Sequence, residues 1–152
     1  MSETSVLPSH GSYRLPHFDH ATVADAMHPG ILSCDAEATL AEVARKMSTH
    51  HVHCIAVGAT AEDQGDGRHV WGILTDLDVL RAGIRPDAAD TAADLAVWPV
   101  VKVETTAALR EAVKLMLTKG TSHVVAVDPE TQRPAGILST LDIAGVLAWG
   151  EM

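Results

Sequence analysis

GILTDLD (Gly72 to Asp78) and GILSTLD (Gly136 to Asp142) are two copies of one pattern: a glycine, two apolar residues, a hydroxyl residue, and a carboxylate three residues beyond it. Upstream of each copy the chain repeats itself again. Thr22-Val23-Ala24-Asp25 answers to Thr91-Ala92-Ala93-Asp94, and Pro29 or Pro99 follows within a few residues. Next come an apolar pair, Ile31-Leu32 or Val100-Val101, and a stretch with helical spacing. Leu40, Val43, Ala44 and Met47 fall at i, i+3, i+4 and i+7, as do Leu109, Ala112, Val113 and Met116, which predicts two helices with one apolar face each.

Runs rich in β-branched residues, His51 to Val57 and Ser122 to Val127, predict a strand after each helix. A polar turn follows, Gly58 to Arg68 in one copy and Asp128 to Pro134 in the other. A second strand, Val70 to Leu74 or Ala135 to Leu138, then runs into a closing helix, Leu77 to Ala82 or Leu141 to Trp149. The chain therefore reads as an α/β (α+β) protein made of a β-α-β-β-α unit used twice. The boundaries expected are an arm over 1–20, partly disordered, a first repeat over 21–85 and a second over 86–152, with Gly83 and Pro86 marking the connector.

The repeated heptapeptide admits two readings. Thr75 with Asp78, and Ser139 with Asp142, have the spacing of a capping box at a strand-to-helix junction, a purely structural device worth about 1 kcal/mol. The same junction presents unpaired N–H groups to an anion and a carboxylate to a vicinal diol, which suits a nucleotide. Spacing alone leaves both open.

Composition removes several function classes. The chain has 152 residues, of which 47% are hydrophobic and 3% aromatic, enough for an aliphatic core. A net charge of -9 disfavours a nucleic acid partner. No apolar run approaches the roughly 20 residues of a membrane span, and the first 20 residues lack the basic and apolar regions of a secretory signal. Cys34 and Cys54 make no disulfide framework, so a soluble, cytoplasmic protein is expected. No nucleophile elbow, P-loop or HExxH motif is present, and Asp76 and Asp78 diverge around a helix start; an enzyme is not expected. His50, His51 and His53 with Cys54 suggest a metal, but strand alternation would send Cys54 away from His51 and His53, so no metal site is expected.

In element order, repeat length and the paired G-apolar-apolar-[ST]-x-x-D endings, residues 21 to 150 resemble a tandem pair of CBS domains, the cystathionine-β-synthase type module. The resemblance implies two repeats packed about a pseudo-twofold axis through their sheets. It also implies clefts for AMP, ADP, ATP or S-adenosylmethionine, with no cofactor required. Carried over by position, Asp78 and Asp142 would hold ribose hydroxyls and Thr75 and Ser139 would face phosphate. Ile31, Leu32, Val100 and Val101 would contact the base. His53 and His123, at matching places in the two copies, would stand in the cleft wall as phosphate donors, or else be ordinary strand histidines.

The pattern also departs from the family's. Leu77 and Leu141 stand where many relatives carry an arginine, and Asp76 adds a carboxylate that Thr140 lacks in the second copy. The cleft of Ser139 and Asp142 is therefore expected to be the better anion site, strengthened by Arg133. The protein is expected to act as a regulatory sensor of adenosine-containing ligands, to pair as a homodimer with Trp149 in the interface, and to act on an unidentified protein target. The alternative is a ligand-free dimerisation module.

Overall fold

A computed structural model describes residues 15–58, 70–85, 90–97 and 100–150. Most of the polar turn after Gly58, Pro86 in the connector, Trp98, Pro99 and the arm before Leu15 lie outside the described residues. The elements are α1 (Val23–Ala26), β1 (His28–Pro29), β2 (Ser33–Asp35), α2 (Leu40–His50), β3 (Cys54–Gly58), β4 (Val70–Thr75), α3 (Asp76–Gly83), α4 (Ala92–Leu95), β5 (Lys102–Glu104), α5 (Leu109–Lys119), β6 (His123–Val127), β7 (Pro134–Ser139) and α6 (Thr140–Trp149).

Local chemistry explains where these begin and end. Five helices start at a hydroxyl residue whose partner three positions on is acidic: Thr22/Asp25, Thr39/Glu42, Thr75/Asp78, Thr91/Asp94 and Ser139/Asp142. Each carboxylate accepts the N–H of its cap residue, at 2.8 to 2.9 Å, and so occupies a donor that the helix cannot satisfy. The long helix α5 begins at Ala108 without a side-chain cap and ends at Gly120, whose φ of 65° is left-handed. In α2 the equivalent terminal position is His51, with φ 54°. His51 therefore closes a helix and does not belong to the strand, as its β-branched neighbours suggest; β3 starts only at Cys54.

One sheet has the order β2-β3-β4, with β2 parallel to β3 and β3 antiparallel to β4. The other has β5, β6 and β7 in the same arrangement and adds β1 along the outer edge of β7. Strand alternation accounts for the two apolar residues of the heptapeptide. Leu74 and Leu138, fully buried, face the helices of their own sheets. Ile73 and Ile137 face the other way, into a cluster with Cys54, Val125 and Val127 where the two sheets meet. The protein is thus a mixed α/β fold of two β-α-β-β-α units joined through their sheets about a pseudo-twofold axis.

Each unit carries an opening helix that packs on the other. Ala21, Val23 and Ala26 belong to the core of the second sheet with Leu109, Ala112, Met116 and Leu138. Ala92 and Ala96 belong to the core of the first with Val43, Met47, Ile55 and Leu74. The exchange is fixed by main-chain bonds: Val23 N–H to the Ala107 carbonyl and Ala92 N–H to the Ala38 carbonyl, both 2.9 Å. The described end of the arm follows the same route. Leu15 and Phe18 pack on the second core, and Arg110 lies 5.0 Å over the Phe18 ring while pairing with Asp19.

Candidate functional site

The two heptapeptides end at corresponding points of the two sheets. At the first, Asp78 Oδ2 accepts from the Thr75 main-chain N–H and from the Thr75 hydroxyl, each at 2.9 Å. Asp142 Oδ2 accepts from the Ser139 N–H at 2.8 Å. The hydroxyl oxygens in turn accept from the main-chain N–H of Asp78 (3.3 Å) and Asp142 (3.2 Å). The capping-box reading is therefore realised in full, using one oxygen of each carboxylate. It leaves the second, Oδ1, for other partners, so cap and binding site do not exclude each other.

In this structure both Oδ1 atoms are engaged. Arg81 Nη1, one helical turn on, lies 3.2 Å from Asp78 Oδ1, and the guanidinium is mostly exposed. His28 Nδ1 lies 2.7 Å from Asp142 Oδ1; the carboxylate is only 5% exposed, the imidazole 71%. His28 reaches it because β1 pairs with β7 in the register His28 to Ile137 and Pro29 to Gly136. Gly136 makes that pairing possible, since a Cβ there would run into the His28 carbonyl group. At the first heptapeptide the corresponding neighbour is Val97, which bridges Ile73. It offers no side-chain donor.

Two histidines flank the motifs, one from each copy, but not at matching places: Cys54 pairs with Thr75 where His123 pairs with Ser139, so His123 answers to Cys54 and His53 to Ser122. His53 Nδ1 lies 2.7 Å from Asp76 Oδ2, and this hydrogen bond is the main cause holding the Asp76 carboxyl below its usual range. His123 is half-buried, and its Nδ1 lies 2.8 Å from the Ser122 hydroxyl. Burial lowers its pKa, opposed by the charges of Asp142 and Asp76 and reinforced by that of His53. Both heptapeptides therefore act on one shared electrostatic neighbourhood at the junction of the sheets.

The apolar pairs divide by face. Ile31 and Val100 pack against the cluster between the sheets, whereas Leu32 and Val101 pack into the cores of their own sheets. The Leu32 and Val101 carbonyls accept from Ala56 and Val125 N–H at 2.9 Å, extending the parallel pairing of β2 with β3 and of β5 with β6 within each sheet. Arg133 is not brought to Ser139. It stands before Pro134 at the opposite end of β7, about 20 Å away at roughly 3.3 Å per strand residue. Sequence reading missed His28 and Arg81. Arg81 had a readable signal, being three residues after Asp78 on a helix, but nothing local to His28 points to Asp142.

A groove of about 590 Å³ lies elsewhere, between β2 and α2, where Arg45, Lys46 and His50 face Asp35 and Glu42. Its charges largely offset one another, and Lys46 Nζ is held by the Ser33 carbonyl at 2.6 Å. Among the described residues no group of three or more His, Cys, Asp or Glu side chains is placed to hold a metal ion, and no helix is long and apolar enough to cross a membrane.

The family model described as CBS domain matches residues 23–85 and 92–148. No curated protein matches the chain. Among solved structures, the CBS domain of a bacterial CNNM/CorC family Mg2+ transporter in complex with ATP is 18% identical, with 88% of this chain and 92% of that one covered and a TM-score of 0.72. The CBS domain pair of protein MJ0100, in complex with 5′-methylthioadenosine and S-adenosyl-L-methionine, is 18% identical over 84% and 96% of the two chains, with a TM-score of 0.72. Hypoxic Response Protein I, with two coordinated zinc ions, is 26% identical over 82% and 98%, with a TM-score of 0.62. At 18% identity the first two likenesses carry the fold and nothing finer.

Proposed function

The chain belongs to the CBS-domain family, as two repeats of it, and from that premise we propose that it is a regulatory module binding adenosine-containing ligands in the clefts at the junction of its sheets. The observation that carries this reading is the division of labour in Asp78 and Asp142: Oδ2 caps a helix while Oδ1 points away from the cap. A carboxylate oxygen that the cap leaves over, held in place by its own helix start, is a pre-organised acceptor for a diol hydroxyl once its present partner gives way. Thr75 and Ser139 sit beside it at helix N-termini, where phosphate is favoured. Ile31 and Val100 supply apolar surface for a base, and His53 and His123 supply donors in the wall.

Structures of the same fold with ATP, and with S-adenosylmethionine and methylthioadenosine, support adenosine as the common element. AMP and ADP fall in the same chemical class. Ligand bridging the two units would favour one arrangement of them over others and so signal by a shift of population rather than by catalysis. The reading places the protein in the cytoplasm, free of nucleic acid, acting on a protein target.

A thermal-shift titration with AMP, ADP, ATP, S-adenosylmethionine and GTP tests it. Ligand at about 100 times its dissociation constant adds roughly 2.7 kcal/mol, a rise on the order of 5 to 10 °C. A saturable rise confined to adenosine compounds supports the proposal; no rise at millimolar ligand, with nucleotide-free protein, overturns it.

A second reading, a dimerisation module without ligand, has its own observation in favour. Leu77 and Leu80 on α3, and Leu141, Leu147 and Trp149 on α6, are more than half exposed, an apolar surface suited to a second copy of the chain. Sedimentation of the ligand-free protein tests the homodimer.

A further inference from the structure

We infer that His28 is a built-in competitor for the Asp142 cleft, so that the two clefts differ in affinity and, in the reverse of the order expected from the sequence, the Asp78 cleft fills first. The inference rests on the proposed role of Asp142 as a diol acceptor and adds to it a means of control. An ionised carboxylate only accepts hydrogen bonds, so at 2.7 Å the Nδ1 of His28 is the donor, and it occupies the one oxygen of Asp142 that the cap leaves over. That oxygen has two acceptor sites, so a diol that brings both of its hydroxyls to it must displace the imidazole. With the carboxylate 5% exposed, water does little to weaken that bond, and a hydrogen bond to a charged group is among the stronger ones.

The Asp78 cleft lacks this device. Val97 occupies the place of His28 there, and Arg81 approaches Asp78 as an exposed neighbour within its own helix, a pairing of little strength in water. The competitor is also tied to the rest of the molecule. His28 belongs to the strand that crosses from the first unit to the edge of the second, directly after α1, which is buried in the second core. Displacing the imidazole therefore acts on the connection between the units.

Calorimetric titration with AMP and with S-adenosylmethionine tests this on the full chain, His28→Ala, His28→Asn and His28→Ala/Asp142→Asn. His28→Ala is expected to tighten one site by about tenfold, and the gain is expected to vanish in the double variant. His28→Asn, which keeps a donor near the Nδ1 position, is expected to restore the weaker binding. Binding by the natural sequence that is unchanged or weakened in His28→Ala overturns the competitor role and leaves the adenosine reading standing. Absence of heat with both probes in all four proteins overturns that reading and the competitor with it. Imidazole 15N spectra of the ligand-free protein give a separate check: His28 should carry its proton on Nδ1, and an Nε2-protonated neutral ring overturns the proposal whatever the ligands do.

Discussion

Val23 donates its main-chain N–H to the carbonyl of Ala107 at 2.9 Å, a bond from the opening helix of one repeat to the body of the other. The Ala92 to Ala38 bond repeats it in reverse. Cutting the chain at the repeat boundary would strip each core of a helix it depends on. Fragments 1–85 and 86–152 are expected to show collapsed amide spectra separately and to regain dispersion on mixing. Native-like dispersion from either fragment alone would show that the exchanged helix is dispensable.

Glycines at two places should respond oppositely to alanine. Gly136→Ala pushes a methyl group into the His28 backbone and is expected to cost about 1 to 3 kcal/mol in urea unfolding, with loss of the β1 pairing. Gly145 lies inside α6, where an added methyl group would meet nothing within 4 Å, so Gly145→Ala is expected to stabilise by roughly 0.5 to 1 kcal/mol. Equal effects would contradict the close approach of β1 to β7.

Two caps of the same type separate stability from binding. Thr91→Ala and Ser139→Ala each remove a side chain that accepts from a helix N–H, and each is expected to cost about 1 kcal/mol. Only Ser139→Ala should also weaken adenosine-ligand binding, measured by calorimetry at a temperature where both variants are folded.

The histidine between the motifs makes stability depend on pH. Burial lowers the pKa of His123, so near and below the unfolded value of 6.5 the unfolded chain binds more protons than the folded one. Stability from this group is complete above that value and is lost as pH falls through it towards the folded pKa. The Asp76 carboxyl, held down mainly by His53, contributes in a separate window, below about pH 4. Melting temperature is expected to fall between pH 7.5 and 5.5, and His123→Gln to flatten that slope. An unchanged slope would assign it to another group.

How far the sequence revealed this molecule depends on the range of the interaction. The capping pairs, the apolar faces of α2 and α5 and the alternation through Ile73 and Leu74 are set by neighbours a few residues apart, and they are readable. His51 misleads because it takes a left-handed conformation that glycine holds at position 120, so a helix end looks like the start of a strand. Arg133 misleads because nearness along the chain to Ser139 becomes a full strand length in space. The exchange of α1 and α4, and the meeting of His28 with Asp142, are set by pairing between residues far apart along the chain, for which the local pattern holds no signal.

Cys34 and Cys54 are both buried and unpaired, and burial raises both thiols, Cys54 to about 12. The thiolate is the reactive form, so neither reacts with an alkylating reagent until its surroundings open. Cys34 lies within the first core, whereas Cys54 lies where the two sheets meet. Their labelling rates therefore time two different events, loosening of one unit and parting of the pair. The natural sequence thus carries a pair of internal clocks for the order in which the molecule comes apart.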